Sequence, residues 1–275
     1  LEAARKCMVL LKNDGILPLD INKLKSIAVI GPNADNRMML KGNYFGTASR
    51  YTTILEGVRE YADKAGVRVY YSEGCHLFRD RVEPLAQKDD RLAEAVTVAE
   101  HADVVILCLG LDSTIEGEEG DTGNAQAAGD KLDLNLPGTQ QKLLEAVVGT
   151  GKPTILVLGT GSALAVNWAD EHCSAILNAW YPGSHGGKAV ADIIFGTCSP
   201  SGKLPVTFYR GTEDLPEFTD YSMKGRTYRY MTCESLYPFG YGLTYSEVEL
   251  GGLKAPSQGS QDDDIEISVQ ITNKG

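Results

Sequence analysis

Three apolar runs, SIAVIGP (26–32), ADVVILCLG (102–110) and KPTILVLGTG (152–161), carry hydrophobic residues side by side and close at a glycine. A strand with one wet face alternates apolar and polar residues, so continuous runs of this length belong to strands covered on both faces. Helical spacing fills the gaps: TTILEGVREYADKAG (52–66), DDRLAEAVTVAEHA (89–102), PGTQQKLLEAVVGTG (137–151), SALAVNWADEH (162–172) and HGGKAVADIIFG (185–196). VRVYYSEG (67–74), CSAILNAWYPG (173–183) and KLPVTFY (203–209) read as further strands, and LEAARKCMVLLKN (1–13) as an opening amphipathic helix. Strand and helix in alternation predict an α/β fold around a parallel sheet. Ligands of such open sheets bind beyond the carboxyl ends of the strands. The loops to examine are therefore GPNADN (31–36), YSEGCH (71–76), GLDSTIEGEEGD (110–121), GTGSA (159–163) and WYPGSHGG (180–187).

Charge narrows the partners. The chain has 26 Lys and Arg against 37 Asp and Glu, a formal net charge of −11. Nucleic-acid binding relies on cations that neutralise phosphates, so nucleic acid is excluded as a partner. No apolar run approaches the roughly 20 residues a bilayer requires, and no membrane span is expected. The six cysteines (Cys7, Cys75, Cys108, Cys173, Cys198 and Cys233) form no CxxC pair, which argues against zinc and for reduced thiols. No basic segment leading into an apolar run and a cleavage site opens the chain, so a cytoplasmic location is expected over a secreted one. Both ends read as cuts. Residue 1 is Leu, and after the linker-like GGLKAPSQGSQDDD (251–264) the strand-like IEISVQITNKG (265–275) stops as another domain begins.

Two glycine-rich loops imitate known sites and fail on detail. GTGSAL (159–164) offers Gly159 and Gly161 but has Leu164 where a dinucleotide fingerprint needs a third small residue. PGSHGG (182–187) has Pro182 where a nucleophile elbow around Ser184 needs glycine. Each is better read as a turn feeding a helix. The two tryptophans, Trp168 and Trp180, sit in apolar segments and are expected in the core.

The sharpest feature is STIEGEEGD (113–121), which places Glu116, Glu118, Glu119 and Asp121 directly after the strongest strand. Such a loop is a solvated acidic face, a hard-cation site without the usual DxDxDG spacing, or the source of a carboxyl raised into general-acid range by its neighbours.

These residues carry a resemblance. VLLKNDGILPL, SIAVIGPNAD, GNYFGT with YTTILEGV, ADVVILCLGLDSTIEGEEGD, LNLPGTQQKLLEAV, SGKLPVTF and YPFGYGLTY, in this order over residues 1–245, are similar to landmarks of the C-terminal domain of glycoside hydrolase family 3, of β-glucosidase and β-xylosidase type. The resemblance implies a three-layer α/β sandwich with a mainly parallel six-stranded sheet. Residues 246–275 then form a linker and the first strand of a fibronectin-III-like domain. It implies retaining, exo-acting hydrolysis of terminal β-linked sugars by two carboxyl groups, with no cofactor and no metal. It further implies that the nucleophile lies on a TIM-barrel domain, to which nothing here is similar, and that this domain supplies the acid/base glutamate from the loop matching STIEGEEGD.

Relatives keep Glu three residues before Asp, a pair matched here by Glu118 and Asp121, so Glu118 is the first choice, with Glu116 and Glu119 as alternatives. The chain departs from the family where Thr122 stands in place of the usual Arg, and Asp130–Lys131 is a second candidate for that pair. A catalytic role predicts that GNYFGT and STIEGEEGD share one side of the domain, facing a β-linked glycoside and the barrel. The alternative function class is a non-catalytic carbohydrate-binding or interaction module, since the nucleophile lies elsewhere.

Overall fold

The computed structural model describes residues 1–81, 83–116 and 131–275. In chain order the elements are α1 (Glu2–Cys7), β1 (Val9–Asn13), β2 (Ser26–Ile30), α2 (Ile54–Ala65), β3 (Arg68–Ser72), α3 (Asp90–Glu100), β4 (Val104–Gly110), α4 (Gln140–Val148), β5 (Thr154–Gly159), α5 (Asn167–His172), β6 (Ala175–Asn178), α6 (Gly186–Ile194), α7 (Thr227–Tyr230), β7 (Val248–Lys254) and β8 (Ser268–Asn273). Residues Leu1–Leu243 form one compact unit and Thr244–Gly275 a second. Among the described residues no helix is long and apolar enough to cross a membrane.

The first unit is built on a six-stranded sheet in the order β1-β6-β5-β4-β2-β3. β2 pairs in parallel with both β3 and β4, β4 with β5, and β5 with β6. Every residue of β2, β4, β5 and β6 is buried, as continuous apolar runs require. The two ends of α2 follow local chemistry. Thr53 caps α2 in a reciprocal box with Glu56, and Gly66 ends that helix in the left-handed conformation.

Two expectations about the first unit are corrected. The opening segment is not one amphipathic helix: α1 ends at Cys7, and Val9–Asn13 runs antiparallel to β6 as the edge strand. Met8, Val9, Leu10 and Leu11 are all buried, and a short unbroken apolar run has no period that separates helix from strand. KLPVTFY (203–209), conversely, is not a sheet strand. It makes one isolated bridge, Phe208 to Tyr237, while Leu204 N–H donates to the Tyr241 carbonyl at 2.8 Å. Pro205 brings no N–H to a ladder, which suits a covering loop. The sheet thus has six strands with a different sixth member.

α2 and α6 cross at backbone contact. A Cβ on Gly57 would lie 2.2 Å from the Gly187 carbonyl oxygen, and one on Gly187 would lie 1.8 Å from that of Thr53. Gly187 of PGSHGG therefore serves helix packing, Gly183 turns the chain at φ +80°, and the Ser184 carbonyl accepts the Thr52 N–H at 2.8 Å. Trp168 stacks on His172, and Trp180 donates Nε1–H to the Cys7 carbonyl at 3.1 Å with its ring edge toward Phe208. Both tryptophans are partly buried against the core. All six cysteines are free thiols.

The second unit is a two-stranded antiparallel sheet of β7 and β8, with Leu250 opposite Ile271, as a partial fibronectin-III-like extension has. β7 covers Val248–Lys254 of the stretch read as linker, with Val248–Gly251 and Lys254 paired to β8 and a register shift between Gly251 and Lys254.

Candidate active site

The carboxyl ends of β2, β4, β5 and β6 converge on the first residues of the acidic loop. Gly110 closes β4 at φ +118°, and a side chain there would strike the Gly159 carbonyl oxygen at 2.1 Å. Gly31 is confined likewise by the Cys108 backbone, and Gly159 by the Met39 side chain. Glycine at these strand ends thus answers to packing within the fold. The buried Gln140 side chain then takes over the ladder. Its Oε1 accepts the Gly110 N–H at 2.7 Å, and its Nε2 donates to the carbonyls of Gly110 (2.8 Å) and Leu77 (2.6 Å).

Asp112 organises the turn that follows. Its Oδ1 accepts from the Thr114 N–H (2.8 Å) and hydroxyl (2.5 Å), and its Oδ2 from Asn36 Nδ2 (2.9 Å). Its carbonyl accepts the N–H groups of Ile115 and Glu116. Asn33 Nδ2 holds the Leu111 carbonyl at 3.0 Å. The GPNADN loop after β2 therefore fixes the start of the loop after β4.

Glu116 lies at the meeting point. Its Oε2 accepts the Gly161 N–H at 2.7 Å and the Tyr181 hydroxyl, and its Oε1 accepts the Ser162 hydroxyl. Asn43 Nδ2 donates to its backbone carbonyl at 3.0 Å. The GNYFGT segment and residues 113–116 of the acidic loop therefore meet on one side of the domain. Burial, reinforced by the Glu116 carboxylate, pushes the Tyr181 phenol far above its usual range, so it stays protonated and donates. Beside this cluster, Glu116, Lys131, Asp133, Leu134, Ser162 and Ala163 line a hollow of about 300 Å³. Burial holds the Lys131 ammonium below its usual range despite Asp133 and Glu116. Next to it, Asp35, Asn36, Glu73, His76 and Asp112 help line a second hollow of about 410 Å³ over β2, β3 and β4.

Of the three candidate glutamates, Glu116 takes part in this geometry. Glu118 and Glu119 lie outside the described residues, as do Asp121, Thr122 and Asp130. Sequence reasoning missed Asn43, Gly161, Ser162 and Tyr181 as partners of the loop. Gly161, Ser162 and Tyr181 lie in segments legible as strand-end loops and Asn43 in the GNYFGT landmark, but no spacing rule joins residues 43, 116, 162 and 181. Among the described residues no three His, Cys, Asp or Glu side chains converge as a metal-ligand set.

Residues 8–245 match the model of the glycosyl hydrolase family 3 C-terminal domain. The chain belongs to glycosyl hydrolase family 3. This family 3 domain is 35% identical over 288 residues to a β-xylosidase of Formosa agariphila, covering 100% of the chain and 38% of that protein. It is 33% identical to a periplasmic β-glucosidase of Salmonella typhimurium, again over 100% of the chain and 38% of the relative. Among solved structures, a β-glucosidase from Erythrobacter marinus superposes with a TM-score of 0.84 at 35% identity, covering 99% of this chain and 38% of that one. A family 3 exo-β-xylosidase, in complex with a xylobiose aziridine probe, gives 0.77 at 33% identity, covering 91% of the chain and 31% of the enzyme. The family 3 domain thus spans well under half the length of these relatives.

Proposed function

We propose that the full-length protein is a retaining, exo-acting β-glycosidase and that this domain supplies its general acid/base, Glu118, from the loop after β4. The observation that carries this reading is the anchored stem of that loop. Asp112–Glu116 is fixed at the carboxyl edge of the sheet, against the GNYFGT and GTGSA segments, in a family whose relatives bear the names β-xylosidase and β-glucosidase.

In a retaining mechanism two carboxyl groups stand about 5–5.5 Å apart, one attacking the anomeric carbon and the other protonating the departing oxygen, then deprotonating water. The resemblance assigns the attacking aspartate to a TIM-barrel domain, so this family 3 domain by itself has half of the pair. The substrate class is a terminal β-linked xyloside or glucoside, both of which occur among the relatives' names.

The test is made in the full-length protein. Glu118→Gln slows hydrolysis of xylobiose or cellobiose by about 10²–10⁴-fold, the span of general acid catalysis, and affects dinitrophenyl glycosides far less. Azide, which needs no general base, then yields a glycosyl azide. Full disaccharide activity in Glu118→Gln removes the assignment.

A further inference from the structure

We propose that Glu116 is a positioning residue and not the proton donor: with Gly161, Ser162 and Tyr181 it clamps the stem of the acidic loop to the ends of β5 and β6. This rests on reading that loop as the carrier of the acid/base.

The first argument is occupancy. Both carboxylate oxygens of Glu116 are engaged, Oε1 by the Ser162 hydroxyl and Oε2 by the Gly161 N–H and the Tyr181 hydroxyl. A carboxyl that protonates a glycosidic oxygen must present an oxygen to it at hydrogen-bond distance. Three donors among the described residues already take three of the carboxylate's roughly four acceptor positions, which favours holding over proton delivery.

The second argument is construction. A Cβ on Gly161 would lie 2.8 Å from Glu116 Oε2 and 2.9 Å from the Tyr181 ring, so a side chain there would displace the cluster. The Tyr181 phenol, kept protonated by burial and the adjacent carboxylate, can only donate toward Glu116. Asn43 holds the same residue by its backbone carbonyl, so loops after β2, β4, β5 and β6 all meet at one position. Glu116 is two residues before Glu118 in the chain, so fixing it constrains the position from which Glu118 is reached. Catalysis is sensitive to such placement, since a shift of about 1 Å can cost about a hundredfold.

The experiment uses full-length Glu116→Gln and Tyr181→Phe, assayed with xylobiose, cellobiose and the dinitrophenyl glycosides. Each variant is expected to lose about ten- to a hundredfold in kcat on the disaccharide cleaved, with dinitrophenyl turnover within about threefold and KM little changed. The double variant falls no further than the worse single one, because both changes break one coupled cluster. Azide gives no glycosyl azide in either. Azide product from Glu116→Gln would make Glu116 the acid/base and overturn the proposal. So would unchanged disaccharide turnover in both single variants, or an equal loss on every substrate, which marks a purely structural role. If the unaltered full-length protein cleaves neither disaccharides nor aryl glycosides, the functional reading fails. Hydrogen exchange at the Gly161 amide then still reports on the clamp, which predicts faster exchange in Glu116→Ala.

Discussion

The buried Asp192 carboxylate on α6 receives the Arg5 guanidinium of α1, with Nε 2.7 Å from Oδ2. Lys188, one turn earlier on α6, and the Tyr61 hydroxyl of α2, at 2.6 Å, complete its shell. One carboxylate thus joins three helices on one face of the sheet. Removing a buried partner leaves the remaining charges uncompensated, so Asp192→Ala is expected to lower unfolding free energy by about 3–5 kcal/mol. Urea denaturation of the chain measures it, and a loss under about 1 kcal/mol would show that the pair is replaceable.

The same group sets an acid limit. Burial raises the Asp192 pKa, but hydrogen bonds from Lys188, Tyr61 and Arg5 outweigh it and leave the carboxyl below its usual range. A carboxylate whose folded pKa is depressed stabilises the fold above its unfolded pKa and loses that contribution as pH falls through the folded value. Stability should therefore fall below about pH 4, the ordinary aspartate range, with a shallower fall in Asp192→Asn. Identical acid profiles for the two proteins would assign the loss to other groups.

Gly187→Ala sets two effects against each other. Alanine gains about 1 kcal/mol of helix propensity over glycine. Its Cβ, however, would lie 1.8 Å from the Thr53 carbonyl oxygen, a backbone atom that cannot swing aside. Overpacking of this kind costs about 1–3 kcal/mol and sometimes more, so a net loss is expected. Calorimetry should record a lower Tm; an unchanged or higher one would mean that α2 and α6 can separate freely.

Gln140→Leu tests the polar contact at the end of β4. The substitution leaves the Gly110 N–H, the Gly110 carbonyl and the Leu77 carbonyl without the side chain that holds them. Each unsatisfied buried group costs about 1–3 kcal/mol, and relaxation recovers part of it, so a loss of about 3 kcal/mol is expected. Equilibrium unfolding that matches the parent protein would show that water replaces the amide without cost.

Thiol reactivity should divide the cysteines by burial. Cys7 and Cys233 are exposed, whereas Cys75, Cys108 and Cys173 are buried. Burial pushes the Cys75 and Cys173 thiols up to about 12, leaving little thiolate at neutral pH. A brief iodoacetamide pulse read by mass spectrometry should modify Cys7 and Cys233 and spare the other three until denaturant is added. Early labelling of Cys108, inside β4, would indicate that the central sheet opens.

The sequence by itself determined the central strands β2, β4, β5 and β6, the main helices, the family and the loop on which to look for chemistry. Those are local properties: continuous apolar runs, helical spacing and ordered motifs are written within a few residues of each other. Only the tertiary structure decided that Val9–Asn13, and not residues 203–209, supplies the sixth strand. It also decided that Asp192 meets Arg5 across 187 residues, and that Glu116 is held by Ser162 and Tyr181. Edge pairing and side-chain hydrogen bonds at such separations depend on which elements the sheet brings together in space. No period along the chain encodes that, which is why the partners of Glu116 are legible only in the folded domain.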